Sequence, residues 1–179
     1  MLLLINGSSR TNSTNGAALR AIVEQVPQAQ LYQGLVELPH FNPDLDAEPL
    51  PPTVATLRSV IGASDALLFS TPEYAGSLPG SLKNLLDWCI GGGELSGKPV
   101  GWINVSDRGA AGAYAQLATV LRYADATVVE SGCTRIVVSR SDVAGDGTVS
   151  DADLRGRLAA AARSLLAAGT AWQPGRGSE

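Results

Sequence analysis

Short apolar runs alternate along this chain with stretches whose apolar residues recur at helical spacing, and this alternation constrains the fold most. Four runs have the length and composition of buried strands: residues 2–5, 66–69, 100–105 and 128–138, the last interrupted near Gly132. A weaker strand is predicted near residues 30–32. Strands that alternate with helices form parallel β-α-β units, so the pattern predicts an α/β fold with helices on both faces of the sheet.

Five helices are predicted between and after these runs. Their apolar residues are spaced three and four apart, as one buried helix face requires. The last helix has a capping-box pattern at Ser150 and Asp153. The predicted stripes are Leu19, Ile22, Val23 and Val26; Val54, Leu57, Val60 and Ile61; Leu82, Leu85, Leu86 and Cys89; residues 115–123; and Leu154, Leu158, Ala161, Leu165 and Leu166.

The chain length sets the expected domain organisation. With 179 residues, 45% of them hydrophobic, the chain can bury one sizeable core. We expect one domain over residues 1–172 and a disordered, Gly- and Pro-rich tail over residues 173–179. The net charge of −4 argues against nucleic acid or an acidic membrane as a partner, and no apolar run is long enough to span a membrane.

Cys89 and Cys133 stand alone, without a C-x-x-C pair or a cluster of histidines and cysteines. This pattern favours the reducing cytoplasm and argues against a structural metal or a dithiol redox centre.

The loop after the first strand carries the sequence GSSRTNSTN over residues 7–15. The start of a helix offers free backbone N–H groups and a positive dipole end, which suit a phosphate group. Ser8, Ser13 and Asn15 can add neutral hydrogen bonds, and Arg10 can add a charge-assisted one. A serine or asparagine that only caps the helix is the alternative, although a cap needs neither Arg10 nor so many hydroxyl groups.

Two more loops follow predicted strands. Residues 71–84 contain two prolines and two glycines before a helix that begins near Pro79, and a planar ring could lie along this backbone against Tyr74. A half-buried packing role is the alternative for Tyr74. Residues 104–112 form a third polar, Gly-rich loop. Ligands bind at the carboxyl ends of the strands in open α/β sheets, so three such loops together indicate one site.

These loops carry two long motifs. The first loop reads G-S-x-R-x-x-S-x-N, and residues 72–84 read P-E-Y-x-x-x-x-P-G-x-L-K-N, followed by Asp87-Trp88. The chain thereby resembles the NADPH-dependent FMN reductases, a flavodoxin-like group that includes quinone, azo-dye and chromate reductases. The resemblance extends over about the first 130 residues, with further matches at Leu38-Pro39, Phe41-Asn42, Asp44-Leu45 and Gly97-Lys98-Pro99.

The resemblance implies a flavodoxin-like three-layer sandwich with a five-stranded parallel sheet of order 2-1-3-4-5. It implies FMN as a non-covalent cofactor and NADPH or NADH as co-substrate. In such proteins hydride passes from NAD(P)H to the flavin N5 and then to a quinone, azo compound, free flavin or similar acceptor, so no side chain needs to be catalytic. The residues implied to bind the cofactor are Ser8, Arg10, Ser13, Thr14 and Asn15 at the phosphate, Pro72, Glu73, Tyr74, Ala75 and Gly76 at the ring, and Ser106, Arg108 and Gly109 on its far side.

The resemblance also implies a homodimer or homotetramer, with residues 38–52 and the helix after Pro79 at the interface. Residues 38–52 carry five prolines and several acids, which predicts a long surface loop. One position departs from the family pattern: many relatives carry Asn after Glu-Tyr, where this chain has Ala75. A side-chain contact is lost there, and substrate preference is expected to differ from that of Asn-bearing members.

Other functions remain as alternatives. A flavodoxin-type electron carrier would hold the same cofactor without oxidising NAD(P)H directly. A hydrolase using Ser8 or Ser77 would lack the expected G-x-S-x-G turn. The G-x-x-x-x-G-K pattern at residues 92–98 runs from helix to strand, the wrong order for an ATP-binding loop. His40 is expected on the surface or at an interface, and residues 142–153 lack calcium-loop spacing.

Overall fold

The protein is described by a computed structural model over residues 1–171. Within this part, five strands and five α-helices alternate along the chain. In chain order they are β1 (Leu2–Asn6), α1 (Thr14–Gln25), β2 (Ala29–Tyr32), α2 (Pro52–Gly62), β3 (Ala66–Ser70), α3 (Gly80–Asp87), β4 (Pro99–Asn104), α4 (Ala111–Tyr123), β5 (Thr127–Arg135) and α5 (Ala152–Ala171).

All five described strands are parallel and lie in the order β2-β1-β3-β4-β5. The predicted flavodoxin-like fold and strand order are therefore confirmed. The predicted tail at residues 173–179 and the predicted domain end at residue 172 lie outside the described residues.

The sheet is buried on both faces because successive strand residues point to opposite sides. Leu3 and Ile5 of β1 belong to the core beneath α2, α3 and α4. Leu2 and Leu4 belong to the core beneath α1 and α5. All four side chains are at most 1% exposed, which explains why β1 reads as a continuous apolar run rather than an alternating one.

The interruption predicted near Gly132 is a change of register in β5. Val100 of β4 pairs with Val128, but Trp102, two residues on, pairs with Cys133. A methyl group on Gly101 would lie 2.5 Å from the Gly132 carbonyl oxygen, so β4 has room for no side chain at this point. The irregularity lets β5 continue past the bulge and deliver its carboxyl end beside that of β4.

The predicted capping box of α5 at Ser150 and Asp153 is wrong. Asp151 caps the helix instead, because its Oδ1 accepts the Leu154 amide at 2.9 Å. The Ser150 hydroxyl donates to the Asp142 carbonyl oxygen at 3.3 Å. Asp and Ser are both good capping residues, and the local sequence does not distinguish between adjacent candidates.

Residues 38–52 connect β2 to α2 and are tied to α3. Asn84 of α3 accepts the Phe41 amide with its Oδ1 at 2.7 Å and donates from Nδ2 to the Pro39 carbonyl at 2.9 Å. The Trp88 indole donates to the same carbonyl at 2.8 Å, and its ring meets Phe41 edge-on. His40, between the two tied residues, is exposed.

No described helix combines the length and apolarity needed to cross a membrane.

Candidate functional site

The carboxyl ends of β1, β3 and β4 lie side by side, and each leads into one of the loops singled out from the sequence. The loops after β1 and β3 touch at Gly7. The Gly7 amide donates to the Ser70 carbonyl at 2.8 Å, and a methyl group at Gly7 would lie 2.4 Å from Thr71 Oγ1. The structure thus brings all the predicted site residues to one edge of the sheet.

The first loop folds by two successive side-chain turns. Asn6 Oδ1 accepts the Ser8 amide at 3.0 Å, and Ser8 Oγ accepts the Arg10 amide at 3.3 Å. Ser13 then caps α1, with its Oγ accepting the Gly16 amide at 3.0 Å. Ser8 and Ser13 are only 7% exposed, whereas Arg10 is exposed. The hydroxyl groups are held in place and the arginine is free to reach a ligand.

The first turn of α1 joins this loop to β3. Asn15 is buried, and its Oδ1 accepts the Ser70 hydroxyl at 2.8 Å. Thr14 is half-buried at the first helical position. The Ser13 hydroxyl and carbonyl take the Gly16 and Ala17 amides. Within the described part of the chain, the helix amides that these bonds leave to a ligand are those of Thr14 and Asn15.

This end of the sheet suits a phosphate group. Backbone amides at a helix start carry partial positive charge, and buried hydroxyl groups can donate to phosphate oxygens. Gly7 and Gly16 lie where the base of this loop leaves little room for a side chain. A methyl group at Gly16 would lie 3.1 Å from Ser13 Oγ. The donors of the first loop therefore fit the phosphate that its motif implies.

The second loop contains a tight turn. Tyr74 and Ser77 exchange both backbone hydrogen bonds at 3.0 Å. Ala75 and Gly76 between them have φ of 51° and 75°, the positive values that a type I′ turn requires at both central positions. Tyr74 is 51% exposed beside the turn. A ring system lying on this loop would meet stiff backbone and an aromatic side chain.

Glu73 holds the second loop against the start of α4. Its Oε2 accepts the Ala113 amide at 3.0 Å, at a helix end whose own cap, Ala110, has no side-chain hydrogen bond. A methyl group on Gly112 would lie 2.2 Å from the Gly76 carbonyl oxygen. The family resemblance implies a place for Glu73 at the ring, and in the structure its carboxylate caps α4. Pro72, which precedes it, is half-buried.

Tyr114 of α4 ties the ends of β3 and β4 together beneath the site. Its hydroxyl donates to the Ile103 carbonyl at 2.9 Å and accepts the Thr71 amide at 3.2 Å. Burial raises the pKa of Tyr114 to about 12, despite hydrogen bonds that act in the opposite direction. The phenol therefore stays protonated at neutral pH and keeps its donor role.

The third loop repeats the turn of the first. Asn104 Oδ1 accepts the Ser106 amide at 3.0 Å, and Ser106 Oγ accepts the Arg108 amide at 3.2 Å. Gly109 closes the loop with a φ of 97°. Arg135 of β5 donates to the Ser106 carbonyl, which fixes the loop from the far side. Arg108 is exposed, as Arg10 is in the first loop.

Sequence reasoning missed the residues that shape the site without facing a ligand: Asn6, Ser70, Asn104, Tyr114 and Arg135. One signal was available, because both loops read Asn-x-Ser-x-Arg, at residues 6–10 and 104–108. Asparagine and serine in this spacing favour consecutive side-chain turns. The contacts of Tyr114 and Arg135 join distant parts of the chain, so no local sequence pattern predicts them.

The G-x-x-x-x-G-K pattern has a structural role. Lys98, in the G-x-x-x-x-G-K pattern, is buried and donates from Nζ to the Ser64 carbonyl at 2.6 Å and the Gly62 carbonyl at 3.2 Å, which closes the end of α2. Burial lowers the pKa of Lys98, and the Asp65 carboxylate opposes that shift.

The two cysteines are not reactive thiolates. Burial raises the pKa of Cys89 to about 12 and that of Cys133 to about 11, so both remain thiols at neutral pH. Cys89 is 1% exposed in the turn that follows α3, in the core as predicted.

Comparisons with known proteins agree with this geometry. The sequence profile described as NADPH-dependent FMN reductase matches residues 1–137. An NAD(P)H-dependent FMN reductase from Pseudomonas aeruginosa is 40% identical over 109 residues, which are 59% of this chain and 59% of that protein. A quinone reductase from Pseudomonas putida is 41% identical over 109 residues, 58% of each chain. The matched region thus spans somewhat over half the length of these relatives.

Solved structures extend the similarity along the chain. The flavoenzyme NAD(P)H:(acceptor) oxidoreductase FerB from Paracoccus denitrificans has a TM-score of 0.78 at 29% identity, covering 95% of this chain and 97% of its own. A general stress protein 14 from Treponema denticola in complex with FMN has a TM-score of 0.51 at 17% identity, covering 96% of this chain and 98% of its own. At that identity the second similarity shows the fold alone.

Proposed function

Because the chain belongs to the NADPH-dependent FMN reductase family, we propose that it is an oxidoreductase that binds FMN non-covalently and oxidises NAD(P)H. One observation carries the proposal: three loops of the kind that bind ligands lie together at adjacent strand ends. Buried hydroxyl groups and the start of a helix lie at one end of this site. An exposed tyrosine beside a stiff turn lies at the other end.

The first loop would hold the phosphate of the cofactor. Ser8 and Ser13 would donate from hydroxyl groups that the fold already holds in place, which lowers the entropic cost of binding. Thr14 and Asn15 would donate from the amides at the helix start, and Arg10 would add a positive charge from the surface.

The second and third loops would hold the ring. Pro72, Glu73, Tyr74, Ala75 and Gly76 would line one side, with Glu73 acting through its cap on α4. Ser106, Arg108 and Gly109 would close the far side. FMN held by these residues would supply the redox chemistry, which is hydride transfer from NAD(P)H and electron transfer to an acceptor. The protein's contribution is to orient the ring and leave one side open, which the exposure of the second loop allows.

A quinone, azo compound or free flavin is the proposed acceptor. Two of the relatives compared above are called an FMN reductase and a quinone reductase, and both acceptor classes are planar and conjugated. A planar acceptor can stack on an open ring beside Tyr74. We also propose a cytoplasmic location, since Cys89 and Cys133 are both free.

We further propose a homodimer or homotetramer whose interface includes residues 38–52 and α3. Leu45 and Ile90 are 47% and 46% exposed. They lie on the same part of the surface, because their neighbours Asp46 and Gly91 approach so closely that a methyl group on Gly91 would be 2.2 Å from Asp46 Oδ2. Val36, which is 67% exposed, precedes this loop. Exposed apolar side chains on a segment held this rigidly are typical of an interface.

An absorbance experiment tests the redox function. Purified protein is supplemented with FMN, desalted, and mixed anaerobically with NADPH or NADH, with free FMN at the same concentration as control. Flavin bands that survive desalting and bleach within seconds are expected. Bound flavin that stays oxidised with both nucleotides would favour the electron-carrier alternative, and protein that retains no flavin would contradict FMN binding.

A further inference from the structure

Arg20 of α1 lies close to the loop that would hold the phosphate, although it is two turns from Ser13 along the chain. Side chains on an α-helix point back towards its start, so a guanidinium at position 20 can reach the first turn. A methyl group on Gly16 would lie 3.2 Å from Arg20 Nη1. The guanidinium fits at this point because Gly16 has no side chain.

Three polar groups converge on the same small space. The methyl position on Gly16 is 3.1 Å from Ser13 Oγ and 3.2 Å from Asn6 Nδ2, besides its closeness to Arg20. Asn6 and Ser13 are the two residues whose oxygen atoms shape the first loop and cap α1. The Arg20 guanidinium therefore lies beside the groups that form the proposed phosphate site, around the same Gly16 position.

The guanidinium is held from the other side by the loop between β5 and α5. Arg20 Nη2 donates to the Gly147 carbonyl at 2.9 Å. That loop is stiffened by the bridge between Val143 and Val149 and by the hydrogen bond from the Ala144 amide to the Thr148 carbonyl at 2.9 Å. Gly147 has a φ of 84°, and a methyl group there would lie 2.8 Å from Nη2, so glycine lets the carbonyl and the guanidinium meet.

No carboxylate of the described residues forms an ion pair with Arg20. Its bond to Gly147 is to a neutral carbonyl. An arginine without a paired carboxylate can attract a bound anion with its full charge. The partly buried surroundings screen this attraction less than bulk water would.

We propose that Arg20 is a positioning residue that supplies a second, fixed positive charge to the phosphate site, and that it makes the protein prefer FMN over riboflavin. This inference rests on the proposed FMN binding. Arg10 is exposed, whereas Arg20 is fixed between Gly147 and the first turn of α1. The fixed charge favours a ligand with a phosphate group and does not change the binding of the ring.

Binding titrations separate this role from a structural one. The quenching of flavin fluorescence gives dissociation constants of FMN and riboflavin for the wild type and for Arg20→Gln, Arg20→Met and Arg20→Lys. We expect the neutral variants to bind FMN about tenfold more weakly, which corresponds to about 1.4 kcal/mol, because the fixed charge no longer attracts the phosphate. Riboflavin affinity should change less than twofold, and Arg20→Lys should recover part of the FMN affinity.

Arg163→Gln is the matched control, because Arg163 makes the same kind of bond, donating to the Gln25 carbonyl at the opposite end of α1. It should leave both affinities unchanged. The FMN dissociation constant should also depend less steeply on salt in the neutral variants. Equal losses for FMN and riboflavin, or no loss in whichever neutral variant folds, would overturn the role of Arg20. Failure of the wild type to bind FMN would instead overturn the proposed function.

Discussion

Among single residues, Ala75 is the one at which the chain departs from the family pattern. The backbone is also strained at this residue. Its φ of 51° lies in the left-handed region, where a Cβ atom costs roughly 1–2 kcal/mol and asparagine is better tolerated. The asparagine of the family pattern would therefore have a conformational advantage here, besides any contact with a ligand. The turn forms with alanine because Tyr74 and Ser77 close it with two hydrogen bonds.

Replacing the strained residue should stabilise the protein. Ala75→Asn is expected to raise the free energy of unfolding by about 0.5–1 kcal/mol, because asparagine adopts the left-handed conformation at lower cost. Urea denaturation followed by circular dichroism measures the change. Ala63→Asn is the control, since Ala63 is exposed and has a φ of −74°, so it should show no gain. Equal effects at both positions would show that the backbone of residue 75 is not the cause.

Among the structural elements, α3 has two connections. It follows the second loop, and it also holds the loop at residues 38–52 in place. The end of the second motif, Lys83-Asn84 and Asp87-Trp88, divides into two kinds of residue. Asn84 and Trp88 bind the backbone of residues 39–41. Lys83 and Asp87 form a pair on the exposed side of the helix. Asn84 and Trp88 thus fix the shape of the Pro-rich loop.

Removing the Asn84 amide should loosen that loop. Asn84→Ala leaves the Phe41 amide and the Pro39 carbonyl without one of their partners, which is expected to cost about 1–2 kcal/mol in the free energy of unfolding. Hydrogen exchange of the Phe41 amide should become faster. Lys83→Ala, one residue earlier, removes only an exposed pair and should change stability by less than about 0.5 kcal/mol. An unchanged Phe41 exchange rate in Asn84→Ala would contradict the proposed clamp.

At the scale of the whole molecule, the two helical layers differ in the surface they present. The layer with α2, α3 and α4 carries the tied loop at residues 38–52, with Leu45 and Ile90 exposed beside it. Arg58 fixes this surface by pairing with Asp46 and donating to the Trp88 carbonyl at 2.8 Å. The preformed shape lowers the entropic cost of association there.

Light scattering at micromolar concentration should give at least twice the mass of one chain. Leu45→Glu combined with Ile90→Glu should reduce the mass to that of a monomer, because burying two carboxylates in an apolar interface is unfavourable. Val23→Glu is the control, since Val23 is 38% exposed on α1, in the opposite layer. A monomeric wild type would contradict the proposed oligomer, and loss of mass in the Val23 variant alone would move the interface to the other layer.

The sequence predicted the order of elements because each depends on local patterns. The apolar run of β1 and the stripe of α1 are set by which residues must be buried on one or both sides of a segment. The loops after β1, β3 and β4 could be recognised because Gly, Ser and Pro favour turns. The cap of α5 was assigned to Ser150 rather than Asp151, since the choice depends on the hydrogen bond that Ser150 makes to Asp142.

The α/β layering, the strand positions and the edge of the sheet that carries the candidate site follow from the sequence alone, because burial pattern and turn chemistry act over short distances along the chain. Only the tertiary structure decided which polar groups are already engaged. Glu73 caps α4 from 40 residues away, and Gly147 fixes Arg20 across 127 residues. Such bonds depend on how the layers pack, and packing brings together residues whose local sequences carry no information about each other.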